Sequence, residues 1–270
     1  MQAVVFEGFR RLAYQHAGIM LRENKEALVS ARIAKRVRSL GLGSEHEYLS
    51  LLETDRSGTE LLHFIDAIST NLTSFFREAD HFQLLAHEVQ RWLAEGKQRI
   101  RVWCAASSTG EEPYSLAMTL SEAVRGRDID YGILASDISV RALQFAQRGC
   151  YEQAHLQIPV ALRQKYFERD PRSTQSEPLL QVEAALRSKL VWKRINLATP
   201  PFPLHGGLDA IFCRNVMIYF DTPVRQRLIS DLERLLRPGG LLIVAHSETL
   251  SGVQSGLQAV KPSVYRKRAR

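Results

Sequence analysis

Cysteine is scarce in this chain of 270 residues: Cys104, Cys150 and Cys213 stand far apart, with no CxxC or His-Cys spacing among them. That excludes a disulfide framework and a zinc-ribbon type of site, so no metal is expected and a reducing compartment suits the chain. Long apolar runs are missing as well. The run Leu241-Leu242-Ile243-Val244-Ala245 stops at His246, far short of the roughly 18 to 20 residues that span a bilayer. The opening residues carry Glu7 and Arg10 and lack a signal-peptide core, so a cytoplasmic protein is expected, not an integral membrane one. Internal repeats and low-complexity tracts are also absent. What is present is an ordinary globular composition, 45% hydrophobic, enough to bury a sizeable core in one large domain and a small one. The net charge of +7 suits nucleic acid, an anionic membrane face or an acidic protein equally, and chooses none of them.

The first 70 or so residues read as helices only. Val5, Phe9, Leu12 and Ala13 mark one apolar stripe; Val29, Ile33, Val37 and Leu40 mark a second at helical spacing, stopped by Gly41-Leu42-Gly43. Ser44 followed by Glu47 is a capping box that opens a third helix, and residues 59–69 predict a fourth. From about residue 99 short apolar runs alternate with amphipathic stretches. Strands are expected at 100–105, 131–136, 209–213 and 241–245, and helices at 112–124, 140–147 and 223–236, the last closed by Pro238-Gly239-Gly240. Such alternation predicts a doubly wound, Rossmann-like α/β domain of parallel strands, whose ligand sits at the carboxyl ends of the strands. Residues 149–192 interrupt it with a helix (160–167), a polar loop (170–178) and two short strands (179–182 and 190–192), which reads as a small inserted α/β subdomain. The expected organisation is an all-helical N-terminal domain over 1–70 and an α/β domain over 71–270 with its insert at about 149–192. The basic tail, 266–270, reads as frayed.

Strand one runs into Ala105-Ala106-Ser107-Ser108-Thr109-Gly110-Glu111-Glu112-Pro113, with Pro113 in the first turn of the next helix. A dinucleotide site would carry GxGxxG here. This turn has one glycine and two carboxylates, which would repel a pyrophosphate. The carboxylates suit a ligand with a sulfonium and an ammonium group, such as S-adenosylmethionine, or they simply complement the helix dipole. Asp137, at the end of the second strand, can accept hydrogen bonds from both hydroxyls of a ribose, or cap the helix that begins near Val140.

Three longer motifs are more specific: Asn71-Leu72-Thr73-Ser74-Phe75-Phe76-Arg77-Glu78, Ser108-Thr109-Gly110-Glu111-Glu112-Pro113-Tyr114-Ser115, and Cys213-Arg214-Asn215-Val216-Met217-Ile218-Tyr219-Phe220. Together with Arg237-Pro238-Gly239-Gly240 and His246-Ser247-Glu248 they resemble the chemotaxis receptor methyltransferases, the CheR family, over nearly the whole chain. The resemblance implies a protein-glutamate O-methyltransferase that uses S-adenosylmethionine, releases S-adenosylhomocysteine and esterifies glutamates of bacterial chemoreceptors in chemotaxis. It implies that Asn71, Thr73 and Arg77 hold the methionyl part of the cofactor and that Glu111 lies near its amino group. Asp137 would take the ribose, while Asn196, Leu197, Arg214 and Asn215 would line the adenosyl and reaction region. In the family a tyrosine and an arginine are proposed to orient the substrate; Tyr219 matches the tyrosine and Arg91 is the candidate arginine. Arg77 can grip a carboxylate in a bidentate fork, and Asn215 offers a donor and an acceptor. Plainer roles stand beside these: a solvated Arg77, capping by Asn71 and Thr73, a Tyr219 that only packs. The acceptor needs no general base, since a glutamate with a pKa of about 4.3 is ionised at neutral pH. Alignment and exclusion of water are what remains to be supplied.

Arg32, Lys35, Arg36 and Arg38 lie beside the apolar stripe of the second helix, and 32, 35 and 36 adjoin on one face. This is either a solvated face or, by the resemblance, the surface that docks on the cytoplasmic methylation region of the receptor. Some members of the family also use the insert to grip a peptide at the receptor's C-terminus by strand addition. Their loop is glycine-rich, whereas residues 170–178 hold no glycine and two prolines, which counts against such a tether. Where methyltransferases of amines and bases carry an Asn/Asp-Pro-Pro-aromatic turn, this chain reads Arg214-Asn215-Val216-Met217, which disfavours nucleic acid as substrate. Two alternatives remain beside the receptor enzyme: a nucleic-acid methyltransferase, favoured by charge alone, and a non-catalytic module that senses the cofactor or a nucleotide second messenger, opposed by the intact cofactor residues.

Overall fold

The computed structural model describes residues 2–268. Four helices come first: α1 (Ala3–Ala17), α2 (Glu26–Ser39), α3 (Glu45–Thr54) and α4 (Thr59–Ile68). Their apolar stripes close on one another, with Phe9 stacked on Phe64 at 5.6 Å and Val29, Ile33 and Val37 buried beside them. The end of α1 has a local cause. Gly18 there is left-handed (φ 66), and a Cβ on it would lie 2.5 Å from that of Ala198, so only glycine fits. Helix α3 opens on the expected box, the Ser44 hydroxyl accepting the Glu47 N–H at 3.2 Å while Glu47 accepts that of Gly43 at 3.0 Å.

A buried carboxylate ties these helices together. Arg36 grips Glu60 through Nε and Nη2 at 2.6 and 2.5 Å, and the Tyr48 hydroxyl donates to the same carboxylate at 2.8 Å. Burial pushes the Glu60 pKa up, but Arg36 and Tyr48 outweigh it and hold the group below its ordinary value. Arg32 is drawn inward too, its Nη1 donating to the Ile68 and Ser69 carbonyls at 2.8 and 3.0 Å, which closes the C-terminus of α4. The basic patch expected on α2 is therefore reduced to the exposed Lys35 and Arg38. Helical spacing made Arg32 and Arg36 their neighbours; acceptors on α4 took both guanidiniums.

The rest of the chain alternates. Helix α5 (Ala79–Ala94) leads into β1 (Arg99–Cys104), α6 (Glu111–Ala123), β2 (Asp130–Asp137) and α7 (Val140–Arg148). Then follow β3 (Cys150–Glu152), α8 (Val160–Tyr166), β4 (Phe167–Arg169), β5 (Leu179–Val182) and the short α9 (Ala184–Arg187). The chain continues with β6 (Leu190–Arg194), β7 (Leu208–Phe212), α10 (Thr222–Leu235), β8 (Leu236–Ile243), β9 (Leu257–Lys261) and β10 (Val264–Lys267). The main sheet has the order β6-β2-β1-β7-β8-β10-β9. Its first five strands are parallel, and β10 runs antiparallel to both its neighbours. Helices cover both faces, so Ile100, Val102, Trp103 and Cys104 of β1 are all buried, as a near-continuous apolar strand requires. This is the expected doubly wound α/β fold with a helical N-terminal region.

Three details differ from expectation. Residues 190–194 pair with β2 (Leu190 beside Ile133) at the edge of the main sheet, so the insert's own sheet is the three-stranded β3-β5-β4. Residues 238–240 lie inside β8, where Gly240 is needed because a Cβ would sit 2.9 Å from the Leu208 carbonyl oxygen. The tail is not frayed through residue 267. Lys267 Nζ donates to the Glu233 and Leu236 carbonyls at 2.6 and 2.7 Å, and Arg266 pairs with Glu88 at 2.6 Å; residues 269–270 lie outside the described residues. No described helix is long and apolar enough to cross a membrane.

Reversing Arg36 to Glu strips Glu60 of its charged partner, so the unfolding free energy should fall by about 2 kcal/mol or more. Lys35→Glu, one residue away, should change it by less than about 0.5 kcal/mol. Urea unfolding of both variants measures the difference, and equal losses would place Arg36 outside the interior network.

Candidate active site

The carboxyl ends of β1, β2 and β7 open into a cavity of about 740 Å3, within the range that holds a small molecule. Its base is the turn after β1. Gly110 there (φ 103) has no room for a side chain, since a Cβ would lie 2.6 Å from the Tyr151 hydroxyl and 2.8 Å from Ala146. The turn presents the Ser108 N–H to Asp137 Oδ2 at 2.7 Å, and the Ser139 N–H holds Oδ1 at 2.9 Å. Ser139 rather than Asp137 caps α7, so the Asp137 carboxylate stays in the cavity wall. Burial pushes its pKa up against the pull of the backbone N–H groups.

Buried within this wall is Arg214, with no exposed side-chain surface. Nη1 donates to Glu112 at 2.7 Å; Nη2 donates to the Arg77 carbonyl at 2.6 Å and lies 3.0 Å from Glu78. The guanidinium sits over the Phe82 ring at 5.8 Å. One cation thus joins the end of β7, the start of α6 and the 71–78 loop. Its partners respond in opposite directions: burial lifts the Glu112 pKa with Arg214 opposing, whereas at Glu78 Arg214 overrides burial and holds the carboxyl below its ordinary value. The 71–78 loop needs such support. Phe76 and Glu78 both have positive φ, 52 and 57, at roughly 1–2 kcal/mol each for residues with a Cβ. The Phe76 N–H is held by the Ser115 hydroxyl at 2.9 Å.

The turn after β7 has an anion for its anchor. Buried Glu248 accepts the N–H groups of Asn215, Val216, Met217 and Ala245 at 2.9, 3.0, 2.9 and 3.0 Å. That carboxylate fixes Asn215 at φ 57 and starts the short 3-10 turn that carries Tyr219 to the cavity.

Asn71, Thr73, Arg77, Asp137, Asn196, Leu197, Arg214, Asn215 and Tyr219 all line this one cavity. Arg77 Nη1 donates to the Leu72 carbonyl at 3.2 Å, which leaves most of its fork to face a ligand. Asn196 is a strut: Nδ2 donates to the His16 carbonyl at 2.8 Å and Oδ1 accepts the Ala198 N–H at 3.0 Å. Two expected residues are not brought to the wall. The Glu111 carboxylate turns back onto the Thr109 hydroxyl at 2.7 Å. Glu112, about 100° further round the helix, lines the cavity instead. Arg91, on α5, is held by Glu88 and Glu95, each at 2.6 Å. Its work is to neutralise Glu88, a buried anion shared with Arg266. Sequence reasoning also missed Glu248, although the His246-Ser247-Glu248 motif was visible, and it missed the stretch between α1 and α2. Ile19, Met20, Arg22 and Lys25 line the mouth, and the Met20 N–H donates to the Tyr219 carbonyl at 2.9 Å.

Glu78, His81 and His246 bring three potential ligand atoms within 4.8 Å of one another. The Glu78 carboxylate is already answered by Arg214, and it accepts the His246 N–H at 3.1 Å. Burial and the Arg214 charge keep His81 neutral, its pKa pushed down to about 4. The group therefore reads as packing behind Arg214 rather than as a cation site. For an organic ligand the fit is good: a guanidinium and a buried carboxylate face one cavity, which suits a molecule with a carboxylate at one end and a ribose diol at the other, as S-adenosylmethionine has.

Comparison with known proteins agrees with this geometry. Residues 71–266 match the family described as CheR methyltransferase, SAM binding domain, and residues 5–69 match CheR methyltransferase, all-alpha domain. The chain is 42% identical over 261 residues to chemotaxis protein methyltransferase 2 of Pseudomonas aeruginosa, covering 96% of this chain and 91% of that one. It is 40% identical over 262 residues to the chemotaxis protein methyltransferase of Escherichia coli, covering 96% and 89%. With the Borreliella burgdorferi protein of the same description it shares 34% identity over 265 residues, covering 95% and 92%.

Replacing Glu248 with Gln leaves one carbonyl oxygen for four N–H groups and sets an amide NH2 against the others. A loss of about 1–3 kcal/mol in stability is expected, together with weaker binding of S-adenosylhomocysteine. Thermal unfolding and calorimetric titration measure the two; an unchanged melting temperature would mean that the turn does not depend on this carboxylate.

Proposed function

Since the chain belongs to the CheR family of chemotaxis receptor methyltransferases, we propose from that premise how its cavity and surfaces serve the reaction. The protein is an S-adenosylmethionine-dependent methyltransferase acting on chemoreceptors in chemotaxis. We assign the cofactor to the cavity at the ends of β1, β2 and β7. Arg77 pairs with its carboxylate, Asp137 accepts from its ribose hydroxyls, and Asn71, Thr73, Leu197 and Asn215 complete the walls. The observation that carries this reading is the convergence of Arg77, Asp137 and Tyr219 on a single cavity.

The acceptor in this reading is a receptor glutamate, which becomes a γ-methyl ester. Held by these residues, S-adenosylmethionine would supply an electrophilic methyl group for that carboxylate, with S-adenosylhomocysteine as the product and no proton changing hands. The chain's own work is orientation and exclusion of water. Tyr219 offers the carboxylate a neutral hydroxyl donor. Glu112 and Glu78 engage the two Nη groups of Arg214, which leaves Nε as the one nitrogen of that guanidinium without a partner.

Residues 1–70 serve as the docking domain in this proposal and 71–270 as the catalytic domain with its insert. Exposed Lys35 and Arg38 face the acidic methylation region of the receptor, in the cytoplasm. Residues 170–178 give no support to a peptide tether: Asp170, through its hydrogen bonds to Arg172 at 2.8 to 2.9 Å, shapes that loop from within.

Asp137→Ala should weaken S-adenosylmethionine and S-adenosylhomocysteine alike, by about tenfold or more, because the ribose is common to both. Unchanged calorimetric affinities would remove Asp137 from the site. Tyr219→Phe should lower turnover while leaving cofactor affinity intact, as expected of a group that acts on the reacting atoms. Parallel losses in both would make it a packing residue. Labelled methyl groups transferred to receptor-bearing membranes should be released by alkali; an alkali-stable product would rule out the glutamate ester.

A further inference from the structure

Four large apolar side chains stand in solvent around the mouth of the cavity. Leu72 is 81% exposed, Ile218 51%, Met20 48% and Leu28 45%, and all four line it. Single exposed apolar residues need no explanation, but a cluster at the entrance to a reaction site does. Both loop residues are held by a fixed backbone. The Leu72 carbonyl accepts from Arg77, and Glu248 holds the N–H groups of Val216 and Met217 just before Ile218. Leu72 also alternates with its neighbours: Asn71 and Thr73 are partly buried while the leucine between them is exposed. The loop thus turns its polar groups inward and leaves its apolar one exposed at the rim of the cavity.

We propose that Leu72, Ile218, Met20 and Leu28 form an apolar collar that seats the receptor segment on either side of the acceptor residue. This rests on the cavity being the methyl-transfer site. The occupant follows from the reaction: the receptor is the substrate, and an acceptor side chain is short, so the backbone that bears it must lie on the rim. Charge agrees, because the exposed Arg22 and Lys25 line the same mouth and complement an acidic acceptor.

The test is the double variant Leu72→Ser/Ile218→Ser in the full chain. Both side chains are exposed, so the fold should tolerate the change. Measured against receptor-bearing membranes, the KM for receptor should rise about tenfold, a modest part of what full burial of two such side chains is worth. Turnover at saturating receptor and the calorimetric affinity for S-adenosylmethionine should each stay within about twofold. An unchanged KM would overturn the proposal, and so would a loss confined to turnover. A matching loss of cofactor affinity would also overturn it by assigning the two side chains to the cofactor. Failure of the underlying cavity assignment shows separately, as an Asp137→Ala variant that still binds cofactor normally.

Discussion

The active region is organised around one cation that never meets solvent. A guanidinium taken out of water costs several kcal/mol unless it is paired and hydrogen-bonded, and Arg214 finds its partners on three different segments. Glu112 lies in the first turn of α6, Glu78 is the residue before α5, and the Arg77 carbonyl belongs to the loop between α4 and α5. None of these partners can leave without stranding a buried charge. The requirement that Arg214 be neutralised therefore fixes how the 71–78 loop meets the sheet. Arg77 benefits directly, since its backbone is held by Arg214 while its side chain lines the cavity.

Anions do for backbone what Arg214 does for side chains. Asp137 gathers two N–H groups from the turns after β1 and β2, and Glu248 gathers four around the end of β7 and of β8. Four of the five described residues that have positive φ despite carrying a Cβ, namely Phe76, Glu78, Ser108 and Asn215, lie in these turns or in the 71–78 loop; the fifth, Ser263, precedes β10. Strain of that kind persists only where surrounding contacts over-determine it, and it clusters where geometry serves a ligand. Each of those four is, or lies next to, a residue that lines the cavity.

Much of this was legible in the sequence, and the exceptions share a cause. Strands β1, β2, β7 and β8 announced themselves because they are covered on both faces and so read as apolar runs. Strand β6 lies at the edge with Val191 65% exposed, and its weaker pattern let it pass for part of the insert. The tail strand β10 carries Arg266 and Lys267, whose acceptors on α5, α10 and β8 are distant in sequence. The same limit governed the site. Motifs assigned Asn71, Thr73, Arg77, Asp137, Asn215 and Tyr219 to one place, and the fold brings them to one cavity. Whether Glu111 or Glu112 faces that cavity depends on the rotation of α6 and on a hydroxyl at Thr109. Helical spacing named the neighbours of Arg32 and Arg36 on α2, but not the α4 carbonyls and Glu60 that stand opposite them.

The internal pairing of cations also bears on the chemistry proposed. A carboxylate nucleophile is attracted to any unpaired guanidinium near it, and such an ion pair is tightest before reaction, when the full negative charge sits on the carboxylate. As the new bond forms that charge disperses, so a strong ion pair would stabilise the ground state more than the transition state and slow the transfer. Arg214, which lines the cavity, lessens this by giving both Nη groups to Glu112, Glu78 and a carbonyl, with only Nε left unpartnered. The Tyr219 hydroxyl, in the proposed role, can orient a carboxylate without binding its charge so tightly. In the proposed assignment positive charge is kept instead for positions outside the reacting atoms: Arg77 for the far end of the cofactor, and Arg22, Lys25, Lys35 and Arg38 on the surface, where attraction speeds encounter but is screened by salt and does not hold the nucleophile back.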